Sequence, residues 1–150
     1  MIINKSELLD LAIINPMVAE KRQAPLASWG LTECGYDIRI AETVLLHPFR
    51  RFVLASSIEK FNMPNHLMGR VLNKSTWARQ GLDASMTTNI EPGWRGWLTL
   101  ELRYSGWKPL RIPAGTGIAQ VIFEELRTPT SYDGRYQDQQ QGAVPARKIA

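Results

Sequence analysis

The sequence predicts a single all-β domain with a short helix at its N-terminus. Short apolar runs alternate with polar residues at a period of two, which is typical of half-buried strands. Eleven glycines and nine prolines lie between these runs and favour turns over long helices. With 150 residues, 44% of them hydrophobic, the chain is long enough for one core and too short for two ordinary domains.

A capping-box pattern near the N-terminus predicts the helix. Asn4 and Glu7 stand three residues apart, so each side chain can bond the other's backbone N–H. We therefore expect a helix from Lys5 to about Ile13. Residues 17–33 have no periodicity and are predicted to form an irregular loop.

The predicted strands follow one another from residue 36 onward. Each is a short apolar run that ends at turn-forming residues such as Gly, Pro or Asn. The predicted strands cover residues 36–40, 44–46, 52–55, 67–72, 97–104 and 118–123.

The strand over residues 97–104 has the clearest alternation in the sequence. Leu98, Leu100 and Leu102 share one face, which we expect to be buried in the core. Glu101 then lies on the opposite face, where a carboxylate is either solvated or part of a pocket.

The strand over residues 67–72 runs directly into a segment with Ser75 and Arg79. Ser75 is a candidate cap for one helical turn, and the start of a helix is suited to binding an anion. The four-residue spacing places Ser75 and Arg79 on the same side of that turn.

Composition limits the class of protein. The formal net charge of +4 favours an anionic partner, without separating nucleic acid from nucleotide or phosphate. The lone Cys34, which we expect to be at least partly buried, excludes an internal disulfide and a Cys-rich zinc site. No apolar run approaches the ~20 residues of a membrane-spanning helix. We expect a cytoplasmic protein, since the first twenty residues lack the pattern of a signal peptide.

Several segments together resemble the dCTP deaminase branch of the dUTPase superfamily, in both order and spacing. The matching segments are KSTWARQGL (74–82), IEPGWRG (90–96), LTLEL (98–102), GYDIR (35–39) and GxxIAQ (115–120), followed by Arg135, Tyr136, Gln139 and Gly142 in the tail.

This resemblance implies a fold and an assembly. The fold would be a distorted β-barrel of the β-clip type, dUTPase-like and similar to a jelly roll. It would span residues 1–126, including the N-terminal helix, and residues 127–150 would form a C-terminal segment that closes over the nucleotide. The resemblance also implies a homotrimer with its active sites at the subunit interfaces, acting on a small deoxynucleotide.

The resemblance further implies hydrolytic deamination of dCTP to dUTP and ammonia. In that family the residue matching Glu101 is the general acid and base, the one matching Ser75 holds the water, and the one matching Arg79 stabilises developing charge. Zinc deaminases need a Cys-x-x-Cys signature that one cysteine cannot supply, so we expect a reaction without zinc. Mg²⁺ is expected to bind the nucleotide phosphates.

The remaining site residues are expected to bind the substrate. Lys74 and Thr76 belong to a candidate phosphate turn, and Arg135 and Gln139 to the tail. Glu91 matches the residue that binds the deoxyribose 3′-hydroxyl, and either Thr87 or Thr88 contacts the base. The same resemblance adds Trp94, Gln120, Tyr132 and Tyr136.

Two alternatives remain open at this stage. Glu91 is acidic where dUTPases carry the aspartate that activates water, so a dUTPase or a bifunctional deaminase and diphosphatase is possible. Outside enzymes, a basic trimer of this kind is a candidate nucleic-acid-binding or regulatory protein. The sequence shows neither an aromatic-and-basic RNA signature nor a helix-turn-helix, so we do not expect a nucleic-acid partner.

Overall fold

Strands dominate the computed structural model, which describes residues 1–148; the last two residues of the predicted C-terminal segment lie outside them. The described elements are α1 (Lys5–Asp10), β1 (Ile14–Asn15), β2 (Gly30–Thr32), β3 (Gly35–Arg39), β4 (Val44–Leu46), β5 (Phe52–Asn62), β6 (Leu67–Asn73), α2 (Ser75–Ala78), β7 (Leu82–Asp83), a 3-10 turn (Ser85–Thr87), β8 (Asn89–Ile90), β9 (Arg95–Tyr104), β10 (Leu110–Ile112) and β11 (Gly117–Glu125).

The strands form three antiparallel sheets, which confirms the predicted all-β class. One sheet has the order β1-β5-β9-β7, a second has the order β2-β3-β11-β6-β8, and β4 pairs with β10. Neighbouring strands are often distant in sequence, as are β3 and β11. Long-range pairing therefore sets the shape of the domain.

One apolar core lies between the sheets. Leu100 and Leu102 of β9 are fully buried and Leu98 is nearly so, which confirms the predicted core face of this strand. Because strand side chains alternate, the same register turns Glu101 to the other face. Across the ladder, Glu101 lies opposite Leu54 of β5.

A bulge interrupts β5 between Ser56 and Lys60 and turns a charged residue inward. Ser57 Oγ donates to the carbonyl of Glu59 at 2.7 Å and accepts the Leu98 N–H at 3.0 Å, so both strands hold the bulge. The Glu59 carboxylate is fully buried, and burial raises its pKa. Arg39 compensates this carboxylate with a side-chain hydrogen bond of 2.8 Å.

The first part of the chain differs from its prediction because strand pairing competes with the helix. Asn4 and Glu7 form the predicted capping box. However, α1 ends at Asp10 and not near Ile13, since the chain then enters β1, where Ile14 pairs with Phe61. The predicted loop over residues 17–33 contains β2, which pairs with β3.

Two smaller expectations were wrong. Cys34 is exposed, because it lies in the turn that joins β2 to β3. Ser75 does not cap α2: the N-cap position is Lys74, and no side chain makes the capping bond.

We expect Leu100→Ala to lower the free energy of unfolding by about 2–5 kcal/mol, because it leaves a cavity between two sheets. Leu45→Ala is the matched control, since Leu45 also lies on a strand but is 48% exposed. Its effect should stay within about 0.5 kcal/mol. Urea unfolding followed by circular dichroism measures both, and equal losses would contradict the assigned core face of β9.

Candidate active site

A cleft of about 460 Å³ lies beside β9, between the 3-10 turn and the C-terminal segment. Its walls are mainly apolar, with a few polar groups that converge on the interior, as is common for sites that bind small molecules. The lining residues are Phe52, Leu54, Thr87, Asn89, Ile90, Glu91, Trp94, Leu98, Thr99, Glu101, Tyr132, Tyr136, Gln139, Val144 and Ala146.

Glu101 brings a partly buried carboxylate to this cleft. Its backbone N–H donates to Thr87 Oγ1 at 2.9 Å, which ties the 3-10 turn to β9. Leu54, directly across the ladder, supplies an apolar wall beside it. A carboxylate held in such surroundings can take a proton from water and return it to a leaving group.

The C-terminal segment covers one side of the cleft by crossing β9. Gln139 is buried, and its Nε2 donates to the Trp97 carbonyl and to Thr99 Oγ1, both at 2.8 Å. Thr99 Oγ1 also accepts the Val144 N–H at 3.0 Å. Farther out, Trp94 Nε1 donates to the Tyr136 carbonyl at 2.6 Å. These bonds attach the segment to its own chain.

Gly96 makes this close crossing possible. Its backbone pairs with Gln139, and a Cβ on residue 96 would lie 2.8 Å from the Gln139 carbonyl oxygen. Its φ of +149° also lies in a region that residues with side chains rarely adopt. Both observations indicate that the docked segment requires glycine here.

An exposed ion pair holds the segment at the rim. Arg95 Nε and Nη2 donate to the two carboxylate oxygens of Asp138 at 2.8 and 3.0 Å. The hydrogen bond from Arg95 lowers the pKa of Asp138. Docking is therefore favoured above the ordinary aspartate pKa and weakens as the pH falls through the lowered one.

Half of the predicted site residues meet in the cleft. Of the two candidate threonines, Thr87 lines it, whereas Thr88 is exposed. Arg135 lies on the outer side of the segment, where its Nη1 donates to the Arg147 carbonyl at 3.1 Å. The predicted residues in the cleft are Thr87, Glu91, Trp94, Glu101, Tyr132, Tyr136 and Gln139.

The other predicted residues lie on a different part of the same chain. Ser75, Thr76 and Arg79 are exposed on or next to α2, which Trp77 anchors by donating to the Gly117 carbonyl at 2.6 Å. Gln120 lies on β11, where its Nε2 donates to Thr32 Oγ1 at 3.1 Å. Within one chain, α2 does not contribute to the cleft lining.

Lys74 has a local partner that its sequence position did not reveal. Its ammonium bonds the buried Asp37 carboxylate and lies 3.3 Å from Ser28 Oγ. This pairing fixes the start of α2 against β3. The ammonium is thus engaged inside its own chain and not directed freely toward solvent.

The site residues predicted from the sequence did not include most of the apolar wall of the cleft. Phe52 and Leu54 lie on one face of β5, where their alternation was visible but their pairing with β9 was not. Val144 and Ala146 come from the tail, and Asn89 follows the 3-10 turn. The alternation of residues 52 and 54 was the one signal that pointed to a shared face.

Residues 1–148 contain neither a metal-binding cluster nor a membrane-spanning helix. No cluster of three or more His, Cys, Asp or Glu side chains in this part of the chain is placed to hold a metal ion. None of its helices has the length and apolar character needed to cross a membrane.

Comparison with known proteins identifies relatives over most of the chain. A family model described as dCTP deaminase-like matches residues 33–126. A dCTP deaminase of Roseiflexus castenholzii is 34% identical, with 92% of each chain covered. A dCTP deaminase of Campylobacter curvus is 31% identical, with 89% of each chain covered.

Solved structures confirm the fold. A 2′-deoxycytidine 5′-triphosphate deaminase from Agrobacterium tumefaciens superposes with a TM-score of 0.60 and 15% identity, covering 85% of this chain and 49% of the other. The EIAV dUTPase gives a TM-score of 0.55 and 20% identity, covering 67% and 82%. The predicted dUTPase-like architecture is therefore correct.

We expect Gly96→Ala to detach the C-terminal segment from β9, because the new methyl group would collide with the Gln139 backbone. Amide hydrogen exchange should rise at Val144, whose N–H bonds Thr99 in the docked state. Gly115→Ala is the control, since Gly115 also has a positive φ but has open space around a new Cβ. Unchanged protection at Val144 in the Gly96 variant would contradict the role of this glycine.

Proposed function

This chain belongs to the dCTP deaminase-like family and is an enzyme, and from that premise we propose that it hydrolyses dCTP to dUTP and ammonia. The observation that carries the proposal is the position of Glu101, a partly buried carboxylate in an apolar cleft. The relatives from Roseiflexus castenholzii and Campylobacter curvus, each named a dCTP deaminase, support the choice of substrate.

In the proposed reaction, Glu101 moves protons. Its carboxylate takes a proton from a water molecule, whose oxygen forms a bond to C4 of the cytosine ring. The electrons of the C4=N3 bond move to N3, which receives that proton from Glu101. Glu101 then takes the proton of the new C4 hydroxyl and gives it to the amino group on C4. The C–N bond breaks, ammonia leaves, and C4 retains the water oxygen as the uracil carbonyl. One residue serves as base and then as acid.

We propose that this reaction proceeds without zinc. Cys34 is the single cysteine of the chain and lies in an exposed turn, so the Cys-x-x-Cys ligands of zinc deaminases have no counterpart. Proton transfer by a positioned carboxylate, together with stabilisation of developing charge, supplies the alternative chemistry.

We further propose that a neighbouring subunit of a homotrimer completes the site. Ser75 and Arg79 are exposed, and neither lines the cleft of its own chain. In a trimer, the Ser75 hydroxyl of a second copy would hold the water, and its Arg79 guanidinium would stabilise negative charge. This arrangement accounts for a chemically incomplete cleft in one chain.

The remaining roles concern the sugar and the phosphates. Glu91 lies at the cleft wall, where we assign it to the 3′-hydroxyl, while Trp94, Tyr132 and Tyr136 enclose the nucleotide. Gln139 holds the closing segment in place. We assign the phosphates to Lys74, Thr76, Gln120 and Arg135, with Lys74 also paired to Asp37.

Mg²⁺ is proposed to enter as part of the nucleotide. Glu91 and Glu101 are the two carboxylates among the lining residues, which suits an ion held mostly by phosphate oxygens and water. The ion would neutralise phosphate charge. In metabolism, the enzyme would supply dUTP for pyrimidine deoxynucleotide synthesis.

The presence of Glu91 in the same cleft favours a second candidate activity. A second carboxylate could activate water against the phosphates, which would make the enzyme a bifunctional deaminase and diphosphatase. Release of pyrophosphate from added dUTP would establish this activity. Its absence would leave Glu91 with the sugar-binding role.

We expect Glu101→Gln to lower kcat for dCTP deamination by about 10²–10⁴-fold, because the amide keeps the shape but cannot transfer protons. Chromatography of dUTP and an ammonia assay measure turnover, and binding of dCTP should persist. Glu125→Gln is the matched control, since this exposed glutamate lies at the end of β11. Near-normal turnover by the Glu101 variant would place the base elsewhere.

Mixing two inactive variants tests the shared site. Ser75→Ala and Glu101→Gln subunits, unfolded and refolded together, should regain part of the deaminase activity, since some mixed sites combine an intact Glu101 with an intact Ser75. The control is Glu101→Gln refolded with the double variant that carries both Ser75→Ala and Glu101→Gln. It should remain inactive, because no subunit then has an intact Glu101. If native mass spectrometry finds mixed trimers without regained activity, the two residues do not meet across a subunit interface.

A further inference from the structure

Two neighbouring turns at one end of the domain expose aromatic rings. Phe49, in the turn over residues 47–51, is 97% exposed, and Trp107, in the turn over residues 105–109, is 83% exposed. Aromatic residues are enriched at the surfaces through which proteins bind partners. We call the two turns, with their flanking cations Arg103 and Arg111, the two-turn surface.

Strand pairing places the two turns side by side. Leu46, just before the first turn, pairs with Leu110, just after the second. Arg51 joins the turns directly: its Nε donates to the Pro48 carbonyl at 2.8 Å, and its Cζ lies 5.9 Å from the centre of the Trp107 ring. The Arg51 guanidinium therefore connects the turn that carries Phe49 to the exposed ring of Trp107.

The two-turn surface also concentrates positive charge. The two turns and the strand ends that flank them, residues 43–52 and 103–111, contain no Asp or Glu. Their five positive charges exceed the formal net charge of the chain, which is +4, so the rest of the chain is net negative. These cations are Arg50, Arg51, Arg103, Lys108 and Arg111.

We propose that the two-turn surface binds single-stranded nucleic acid. Exposed rings with cations in the same turns match a strand in which bases alternate with phosphates, because bases stack on aromatic faces and guanidinium groups pair with phosphate. A duplex is a poorer match, since its bases are already stacked within the helix and present no free faces to the rings. The two turns are more than fifty residues apart in sequence, so the aromatic-and-basic pattern is visible only in the folded chain.

The two rings that are changed to test this surface lie outside the proposed active site. The aromatic rings of Phe49 and Trp107 do not line the cleft. A variant that loses oligonucleotide binding should therefore keep dCTP turnover, and the failure of one proposal can be distinguished from the failure of the other.

Fluorescence anisotropy with labelled oligo(dT) of twenty nucleotides tests the proposal on the full chain. We expect saturable binding that weakens with added salt, with a log–log slope of about −0.7 per phosphate contacted. Phe49→Ala combined with Trp107→Ala should weaken binding at least about tenfold, because each base that stacks on a ring adds substantially to affinity. Arg50→Gln with Lys108→Gln should instead reduce the salt slope.

Arg22→Gln combined with Arg127→Gln is the control for charge, since it removes two exposed cations elsewhere on the chain. Its net charge equals that of the Arg50 and Lys108 variant. This control should bind oligo(dT) nearly as the unaltered chain does. Binding equally weakened in the control and in the Arg50 and Lys108 variant would show that only overall charge matters, which would overturn the proposal.

Three other results would also overturn it. The first is no saturable binding at low salt, and the second is unchanged affinity after removal of both rings. The third is tighter binding to vesicles of phosphatidylserine and phosphatidylcholine than to oligo(dT), which would assign the surface to a membrane. Analytical ultracentrifugation must show the same oligomeric state for the Phe49 and Trp107 variant, since a changed state would assign the surface to a subunit contact.

Discussion

The antiparallel pairing of β5 with β9 is the constraint on which the cleft depends. A single register buries Leu100 and Leu102 in the core and directs Glu101 to the opposite face, across from Leu54. A slip of one residue would exchange the two faces and bury the carboxylate without a partner. The apolar core and the acidic site are thus two consequences of one alternation. The β5 bulge shows that this chain can bury a carboxylate, that of Glu59, where Arg39 compensates its charge.

The cleft itself depends on a second constraint, the crossing of the C-terminal segment over β9. Glycine at position 96 allows the backbones to approach, the Gln139 amide satisfies groups on β9, and Arg95 with Asp138 holds the rim. The inner bonds are partly buried, whereas the rim ion pair is exposed and screened by salt. A segment attached mainly by its inner bonds can therefore open at the rim first, which suits a site that must admit a nucleotide.

The fold class and the core face of β9 were predictable because period-two alternation records burial directly. The position of Glu101 on the other face followed from the same pattern. The sequence did not reveal that Leu54 faces Glu101, since cross-strand register depends on pairing between distant segments. It also did not reveal that Lys74 pairs with Asp37, or that Phe49 and Trp107 lie in adjoining turns. Each of these contacts joins residues far apart in the chain, and local patterns carry no record of them.

Deamination of dCTP in water enriched with oxygen-18 is the most direct test of the central claim. Hydrolysis at C4 places the oxygen of water on the base, so mass spectrometry should find the label in the uracil ring of dUTP, with ammonia released in equal amount. Label found only in phosphate or pyrophosphate would show attack on the phosphates and would contradict the account. The absence of any labelled product from dCTP would contradict it equally.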